Sequence, residues 1–221
     1  MHALPDTLRP LAERLFGDRL ELAERFTEML ADQGVERGLI GPREVDRLWE
    51  RHVLNCALMV EAIDPSVRIL ADVGSGAGLP GVVLAIARPD LQITLIETMQ
   101  RRTDWLTEVN ETLALGLEVV RARAEELKGT RSFDAVTARA VAALDKLAKW
   151  TLPLVADGGE LLAMKGSSVR AEIEKAAPVL KRLGGVDPRI QICGSGEVEV
   201  PTTVVRVRRA APAQRKGDRR G

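Results

Sequence analysis

Tyrosine is absent from this sequence of 221 residues, and histidine and cysteine occur only twice each. Cys56 and Cys193 stand far apart without paired spacing, so they indicate neither a disulfide framework nor a metal site. With two histidines in the whole chain, a histidine-based metal centre is not expected either. We therefore predict a protein without a metal, whose cysteines are small buried residues in a reducing compartment.

Long apolar runs are missing as well. No run approaches the roughly 20 residues that a membrane-spanning helix requires. Asp6, Glu13 and Asp18 interrupt the N-terminal segment, which is therefore unlike a signal peptide. Hydrophobic residues make up 45% of the chain and charged residues 29%, which is typical of a soluble globular protein with no membrane partner.

The charges balance to a net of zero, but they are unevenly distributed along the chain. Residues 206–221 carry seven basic residues against one acidic residue, a net charge of +6. A basic tail of this kind binds phosphate groups in some proteins and is a solvated, disordered end in others. The sequence leaves both interpretations open for a predicted tail at residues 210–221.

Hydrophobic spacing divides the rest of the chain into two parts. Residues 1–62 are predicted to form a helical extension, because apolar residues recur every three or four positions and a third helix begins at Pro42. From residue 63 to residue 209, short strands alternate with helices, which predicts right-handed crossovers and a mainly parallel sheet. The expected fold class is α/β, with a doubly wound, Rossmann-like sheet of seven strands.

The predicted helices of this second part are residues 79–87, 100–115, 143–152 and 169–183. The predicted strands are residues 67–73, 91–97, 117–121, 133–138, 160–165, 189–193 and 202–208. Only a short loop joins the last two strands, so we expect them to pair antiparallel, since parallel neighbours need a long crossover.

A glycine-rich loop follows the first predicted strand. Its glycines Gly74, Gly76, Gly78 and Gly81 allow a sharp turn and a close approach of the backbone to a ligand. The loop lies at the carboxyl end of a strand in a parallel sheet, where such folds bind their ligands. Residues 76–81 match the dinucleotide fingerprint, whereas residues 72–78 have the Asp-x-Gly-x-Gly-x-Gly form typical of methyltransferases.

Two absences favour S-adenosylmethionine over a nicotinamide cofactor in this loop. One large class of dehydrogenases uses a tyrosine and lysine pair, and this chain has no tyrosine. No segment after residue 150 resembles a separate substrate domain. Glu97 ends the second predicted strand and is expected to accept hydrogen bonds from the ribose diol of either cofactor.

The shortage of reactive side chains also limits the methyl acceptor. Methylation of a pyrimidine carbon requires a cysteine nucleophile near the fourth or fifth strand, and this chain has none there. Many adenine amine methyltransferases carry an Asn-Pro-Pro-aromatic motif where residues 137–140 are TARA. Phenolic acceptors usually need a base such as histidine, but both histidines precede the first strand. Guanine N7 is a bare acceptor with no proton to remove, so these absences permit it without proving it.

An ordered set of motifs extends the argument beyond the glycines. Residues 48–55 (LWERHVLN) precede the loop, and residues 123–126 (RAEE), 138–140 (ARA) and 165–166 (KG) follow it. Over residues 20–208 the chain resembles the bacterial small-subunit ribosomal RNA methyltransferase G family, also called glucose-inhibited division protein B. The resemblance implies a class I S-adenosylmethionine methyltransferase that works in the cytoplasm without a metal. It further implies that the enzyme methylates N7 of one guanine in 16S ribosomal RNA of the small subunit, forming 7-methylguanosine.

The resemblance also implies cofactor residues. Gly74 and Leu79 match the family's cofactor loop, Ala124 and Glu125 match its adenine-side contact, and Arg139 matches a further cofactor-site residue. Each has an alternative interpretation from the residues alone. Ala124 and Glu125 suit the start of a helix, where an acidic residue is favoured, and Arg139 suits a surface ion pair. The full predicted cofactor set is Gly74, Gly76, Gly78, Leu79, Glu97, Ala124, Glu125 and Arg139.

No catalytic residue is assigned, but three residues are candidates for positioning the substrate. They are Arg139, Lys165 and His52. The alternative for Lys165 is a solvated lysine, and the alternative for His52 is a histidine with satisfied hydrogen bonds at the edge of the core. A small-molecule methyltransferase and a non-catalytic RNA scaffold that binds S-adenosylmethionine remain the alternative functions. Nothing in the sequence indicates an obligate oligomer, so the expected state is a monomer.

Overall fold

The structure of the protein is a computed structural model that describes residues 3–211. The predicted basic tail lies almost entirely outside the described residues, since only residues 210 and 211 of it are included. No helix within the described part of the chain combines the length and the apolar character needed to cross a bilayer.

One seven-stranded sheet forms the centre of the molecule. Its strands are β1 (Ile69–Val73), β2 (Gln92–Glu97), β3 (Glu118–Arg121), β4 (Phe133–Arg139), β5 (Val155–Lys165), β6 (Gly185–Cys193) and β7 (Thr202–Arg209). They follow the order β3-β2-β1-β4-β5-β7-β6. Neighbours among β1 to β5 are parallel, whereas β7 runs antiparallel to both β5 and β6. The predicted fold class and the antiparallel last pair are confirmed.

The helices cover the two faces of the sheet. They are α1 (Arg9–Phe16), α2 (Leu20–Gln33), α3 (Asn55–Ala57), α4 (Gly81–Ala87), α5 (Gln100–Leu113), α6 (Leu144–Thr151) and α7 (Val169–Arg182). Helices α4 to α7 fall on the four helices predicted for residues 79–183, with ends that differ by at most two residues.

Strand β5 begins earlier than predicted, at Val155 instead of residue 160. Residues 158 and 159 are both glycine, a pair that is typical of a turn and that hid the first half of the strand. The pair lies where the register between β4 and β5 shifts, between Phe133 and Ala135. Glycines inside a strand often mark such a bulge.

The third predicted helix starts at Pro42 as expected, but it is not a regular α-helix. A 3-10 segment (Pro42–Arg47) leads into a π-helical segment (Leu48–Leu54), followed by α3 and a second 3-10 segment (Leu58–Ala62). Long π-helical turns are rare and frequently occur at functional sites. We call residues 42–62 the helical arm.

Two apolar clusters form the core, one on each face of the sheet. The first joins α2 and the helical arm to α4 and α5, with Phe26, Leu54, Val82 and Trp105 among its fully buried side chains. The second packs α6 and α7 against β4, β5 and β7. The proposed boundary at residue 62 therefore marks a change of secondary structure between two parts that share one core.

A substitution in α2 tests this shared core. Phe26→Ala should lower the free energy of unfolding by about 3–5 kcal/mol, because it empties a site of zero solvent exposure. Urea denaturation followed by circular dichroism measures the change. The exposed Glu28→Ala on the same helix is the control and should stay within about 0.5 kcal/mol of the wild type. A loss below about 1 kcal/mol for Phe26→Ala, or a separate early transition, would show that the N-terminal helices fold independently.

Candidate active site

The glycine-rich loop between β1 and α4 is closed by a buried carboxyl group. Asp72 Oδ2 accepts a hydrogen bond from the Gly81 backbone N–H at 3.0 Å, which joins the end of the strand to the start of the helix. The Ser75 hydroxyl donates to the Asp72 carbonyl oxygen at 2.9 Å, and the Trp105 indole N–H donates to the Ala77 carbonyl at 3.0 Å. The loop is therefore held from the strand, from its own interior and from α5.

Burial changes the acidity of Asp72. The side chain has no solvent exposure, and its Oδ1 atom has no hydrogen-bond partner among residues 3–211. Because a buried charge is costly, burial raises the pKa of Asp72 to about 7. The fold therefore favours the neutral carboxyl group.

The glycines of the loop serve two different purposes. Gly76 has a φ of 55°, and a Cβ there would make ordinary van der Waals contact with the Gly74 carbonyl oxygen at 3.7 Å and with Arg102 Nη1 at 3.9 Å, without a clash. Gly78 has a φ of 95°, but a Cβ there would lie 2.6 Å from Val82 Cγ2. Gly74 and Gly76 line the central cleft, and Gly78 does not. Gly78 allows the close packing of the loop on its own helix, and its predicted contact with a cofactor has no support from this geometry.

Glu97 lies at the carboxyl end of β2 with 3% of its surface exposed. Its Oε2 accepts a hydrogen bond from the Gly76 N–H at 3.1 Å, and its Oε1 accepts from the N–H groups of Thr98 and Met99 at 2.7 and 2.9 Å. The Arg102 guanidinium lies 3.7 Å from Oε2. Glu97 thus fixes the floor of the cleft and presents a carboxylate to it.

Residues 124 and 125 follow β3, and the sequence left two interpretations for them, a contact with the cofactor or the start of a helix. Ala124–Leu127 forms a 3-10 helix whose first N–H groups are capped by Glu126, since Glu126 Oε2 accepts from the Arg123 N–H at 3.0 Å. Glu125 takes no part in this cap and lines the cleft together with the buried Ala124. Glu125 lies in the first turn of this helix, where an acidic residue is favoured, so the helix start still explains it and its contact with a cofactor stays a prediction.

Arg139 ends β4 and is held by neutral acceptors. Its Nη2 donates to His52 Nδ1 at 2.7 Å, and its Nη1 lies 3.4 Å from the Arg51 carbonyl oxygen and 3.5 Å from Cys56 Sγ. Within the described part of the chain no carboxylate oxygen lies in ion-pair range of the guanidinium. The alternative of a surface ion pair is therefore not observed.

His52 links Arg139 to the helical arm. Its Nε2 lies 2.7 Å from Glu44 Oε2. Burial lowers the pKa of His52 below its ordinary value, and the positive charge of Arg139 lowers it further. The hydrogen bond from His52 in turn holds the pKa of Glu44 below its ordinary value. His52 therefore matches the alternative of a histidine at the edge of the core with its hydrogen bonds satisfied, and a contact with the substrate stays a prediction.

Lys165 is not a solvated lysine. Only 8% of its side chain is exposed, and its ammonium group donates to the Ala142 carbonyl at 2.6 Å and pairs with Glu172 Oε2 at 2.8 Å. Glu172 also accepts from the Leu144 N–H at 2.9 Å. Lys165 therefore joins β5 to the starts of α6 and α7, and a contact with RNA stays a prediction.

A cleft of about 710 Å³ lies at the carboxyl ends of the parallel strands. The volume is in the range of small-molecule sites. The lining includes seven of the eight predicted cofactor residues: Gly74, Gly76, Leu79, Glu97, Ala124, Glu125 and Arg139. A carboxyl group at the floor, walls that are partly polar and partly apolar, and a glycine that a Cβ would not overfill fit S-adenosylmethionine.

A second cavity of about 770 Å³, the outer groove, adjoins the cleft. Its lining includes Arg51, Asn55, Lys165, Ser167 and Thr203, and it also includes apolar surface from residues such as Met164, Val200 and Pro201. The two cavities share four residues: Glu44, His52, Arg139 and Ala140. We call these four shared residues the junction. Arg139, Lys165 and His52, the three candidates for positioning the substrate, all lie on the outer groove, and Arg139 and His52 belong to the junction.

Sequence analysis missed several residues of the cleft. Ile40 and Glu44 enter from the segment before and within the helical arm, and the half-buried Trp150 lies at the wall of the cleft. Arg102 also lines the cleft, and its Nε has no hydrogen-bond partner among residues 3–211. A signal for Arg102 was present, because a basic residue in the first turn of a helix opposes the helix dipole.

The comparisons with known proteins agree with this geometry. Residues 19–200 match the family described as "GidB: rRNA small subunit methyltransferase G". A protein of Mycobacterium sp. (strain KMS) named ribosomal RNA small subunit methyltransferase G is 53% identical over 94% of this chain and 93% of its own length. The protein of that name from Arthrobacter sp. (strain FB24) is 57% identical over 89% of this chain and 91% of its own. A methyltransferase structure from Pyrococcus furiosus shares the fold, with a TM-score of 0.56 and 10% identity over 73% of this chain and 86% of its own.

A methyl group at Gly76 tests the cleft. Gly76→Ala should weaken S-adenosylmethionine binding about tenfold or more, equivalent to ~1.4 kcal/mol, because the added carbon enters the space a ligand approaches. Calorimetry measures the affinity. Gly116→Ala is the matched control, since Gly116 also has a positive φ, of 71°, with no atom within 4 Å and no place in the cleft. Equal affinities for the two variants would remove Gly76 from the site.

The buried carboxyl group predicts a pH effect on stability. Because the folded protein raises the pKa of Asp72, its contribution to stability is lost as pH rises toward about 7. Asp72→Asn stays neutral and keeps an oxygen for the Gly81 N–H. The free energy of unfolding of Asp72→Asn, minus that of the wild type, should therefore increase between pH 5 and pH 8. A difference that stays constant in urea titrations across this range would show that Asp72 is ionised in the folded protein.

Proposed function

This chain belongs to the rRNA small subunit methyltransferase G family, and we propose from that premise that it transfers a methyl group from S-adenosylmethionine to N7 of one guanine in 16S ribosomal RNA. The observation that carries the proposal is the junction at which the cofactor cleft opens into the outer groove. A groove that combines apolar surface with side chains such as Arg51, Asn55 and Lys165 suits a base presented by a large RNA. A small-molecule methyltransferase would instead need a closed apolar pocket.

In the proposed reaction the protein binds the cofactor and the guanine and aligns them with each other. When bound, S-adenosylmethionine supplies a methyl group made electrophilic by its sulfonium centre. Guanine N7 attacks with a lone pair and loses no proton, so the protein needs no general base. Holding two reactants in line contributes up to roughly 7–11 kcal/mol in well-oriented reactions. The chain's work is therefore to fix the cofactor with its loop and to orient the guanine beside it.

The hydrogen bonds at the junction agree with this division of work. His52 is the only histidine among the described residues, and both of its ring nitrogens already have partners in Arg139 and Glu44. It is therefore not available as a base for the substrate. Arg139 lies on both cavities, and its charge has no carboxylate partner in the described part of the chain. We assign to Arg139 the orientation of the acceptor base through its O6 atom, which suits an arginine and leaves the N7 lone pair free to attack the methyl group.

The substrate also sets the cellular partners. The partner is 16S ribosomal RNA, as the free RNA or within the small subunit, and we propose the cytoplasm as the compartment because small subunits are there. The remaining site roles are proposals of the same kind. Glu97 binds the ribose hydroxyls, and Ala124 and Glu125 contact the adenine side. The monomeric state stays a prediction.

The acceptor atom is open to a direct chemical test. A 7-methylguanine ring is cationic and prone to reduction, so borohydride and then aniline should cut treated 16S RNA at one guanine and leave untreated RNA intact. Arg139→Ala should slow methylation on the order of 10²-fold, the cost of a misplaced reactant. Arg25→Ala, an exposed arginine outside both cavities, is the control. Label from tritiated S-adenosylmethionine recovered in a pyrimidine or an adenine would overturn the acceptor while the cofactor assignment stands.

A further inference from the structure

The junction between cleft and groove contains a chain of three side chains whose proton positions follow from their chemistry. Arg139 Nη2 lies 2.7 Å from His52 Nδ1, and His52 Nε2 lies 2.7 Å from Glu44 Oε2. An arginine guanidinium only donates hydrogen bonds. His52 Nδ1 must therefore accept, which leaves the ring proton on Nε2, where it is donated to the Glu44 carboxylate.

We infer that His52 is a positioning residue of the methyl transfer: as a neutral imidazole with its proton on Nε2, it holds Arg139 at the junction and anchors it to Glu44 of the helical arm. The inference deepens the proposed function and rests on it for its catalytic consequence. The structural part, the protonation and the tautomer of His52, does not depend on the substrate.

The charges around the ring explain why the neutral form is held. Glu44, on the 3-10 turn of the arm, favours the protonated ring, whereas Arg139 on β4 and Arg51 beside it on the arm oppose it. The other charged side chains of the outer groove are already paired. Lys165 pairs with Glu172 at 2.8 Å, and Glu50 pairs with Arg47 at 3.4 Å. Burial and Arg139 together lower the pKa of His52.

Protonation of His52 would replace its hydrogen bond from Arg139 with a repulsion between two positive charges. A proton on Nδ1 removes the acceptor and sets a second positive charge 2.7 Å from the guanidinium. The remaining acceptors of Arg139 are long contacts of 3.4 and 3.5 Å to the Arg51 carbonyl and Cys56 Sγ. Arg139 would then lose its fixed orientation, because its one short hydrogen bond is to His52. Methyl transfer should therefore require the neutral ring.

The first test is nuclear magnetic resonance of the free protein. The chain has two histidines, so the spectrum of His52→Asn identifies the His52 signals. Long-range nitrogen–proton correlations at pH 7.5 should show the proton on Nε2. The titration of the ring should give a pKa below the ordinary value of a histidine. The pKa should rise in Arg139→Leu and fall in Glu44→Gln, because the first removes an opposing cation and the second removes a favourable anion.

The second test separates the two hydrogen bonds of His52. The amide of asparagine reaches as far as Nδ1 and keeps an acceptor for Arg139, whereas the amide of glutamine reaches as far as Nε2 and keeps only the link to Glu44. In methylation of small ribosomal subunits, the kcat of His52→Asn should exceed that of His52→Gln by about tenfold or more. The affinity of both variants for S-adenosylmethionine, measured by calorimetry, should agree within about twofold, equivalent to ~0.4 kcal/mol.

The pH profile of kcat completes the test. Wild-type kcat should fall with decreasing pH through the pKa measured for His52, and that fall should be absent from His52→Asn. Ionisation of Asp72, whose pKa is about 7, is the same in both proteins and does not obscure the difference.

Three results would overturn the inference: a ring proton on Nδ1 at pH 7.5, a kcat for His52→Gln equal to that of His52→Asn, or an acid fall at the His52 pKa that persists in His52→Asn. Failure of the proposed function has a different signature. In that case the free protein shows the predicted tautomer and pKa shifts, but neither the wild type nor any variant methylates small subunits.

Discussion

The hydrogen bond between the Gly81 N–H and the buried Asp72 carboxyl determines the geometry on which the rest of the site depends. It fixes the start of α4 against the end of β1 and so determines the path of the loop between them. That path brings the Gly76 N–H to Glu97 on the neighbouring strand. Two strand ends and one loop become a single rigid floor, and the cost is one carboxyl group removed from water.

Two adjoining cavities lie next to this floor, the cleft and the outer groove, and different elements of the fold form their walls. The cleft is built mainly from the carboxyl ends of β1, β2, β3 and β4, as expected for a parallel sheet, and the rest of its wall comes from the helical arm and the segment before it, from Arg102 and from Trp150. The outer groove takes its walls from the helical arm, the segment after β5 and the segment before β7. The side chains that belong to both cavities are tied to one another rather than to solvent, so the arm and the sheet meet through His52 and Arg139.

Sequence reasoning anticipated what local patterns encode. Alternation of strands and helices predicted the fold, and seven of the eight cofactor residues predicted from the loop and from the family resemblance lie on the cleft. Local patterns did not reach what packing decides. Whether Gly78 faces a ligand or Val82 depends on the path of the loop, and the half-burial of Trp150 depends on where α6 ends. The π-helical turns of the arm have no sequence signature. The pairing of Lys165 with Glu172 joins residues on two elements whose contact only the folded chain reveals.

Because the N-terminal helices pack in the same core as the glycine-rich loop, substitutions in these helices can affect the loop. Phe26 and Gly78 face each other across the packing between α2 and the loop, with 3.4 Å from the phenyl ring to the position of a Cβ on the glycine. Changes in a helix that touches neither cavity can therefore disturb the glycine-rich loop. Substitutions that abolish activity are expected throughout the first apolar cluster. Inactive alleles of such a gene should be spread along its length rather than concentrated in its motifs.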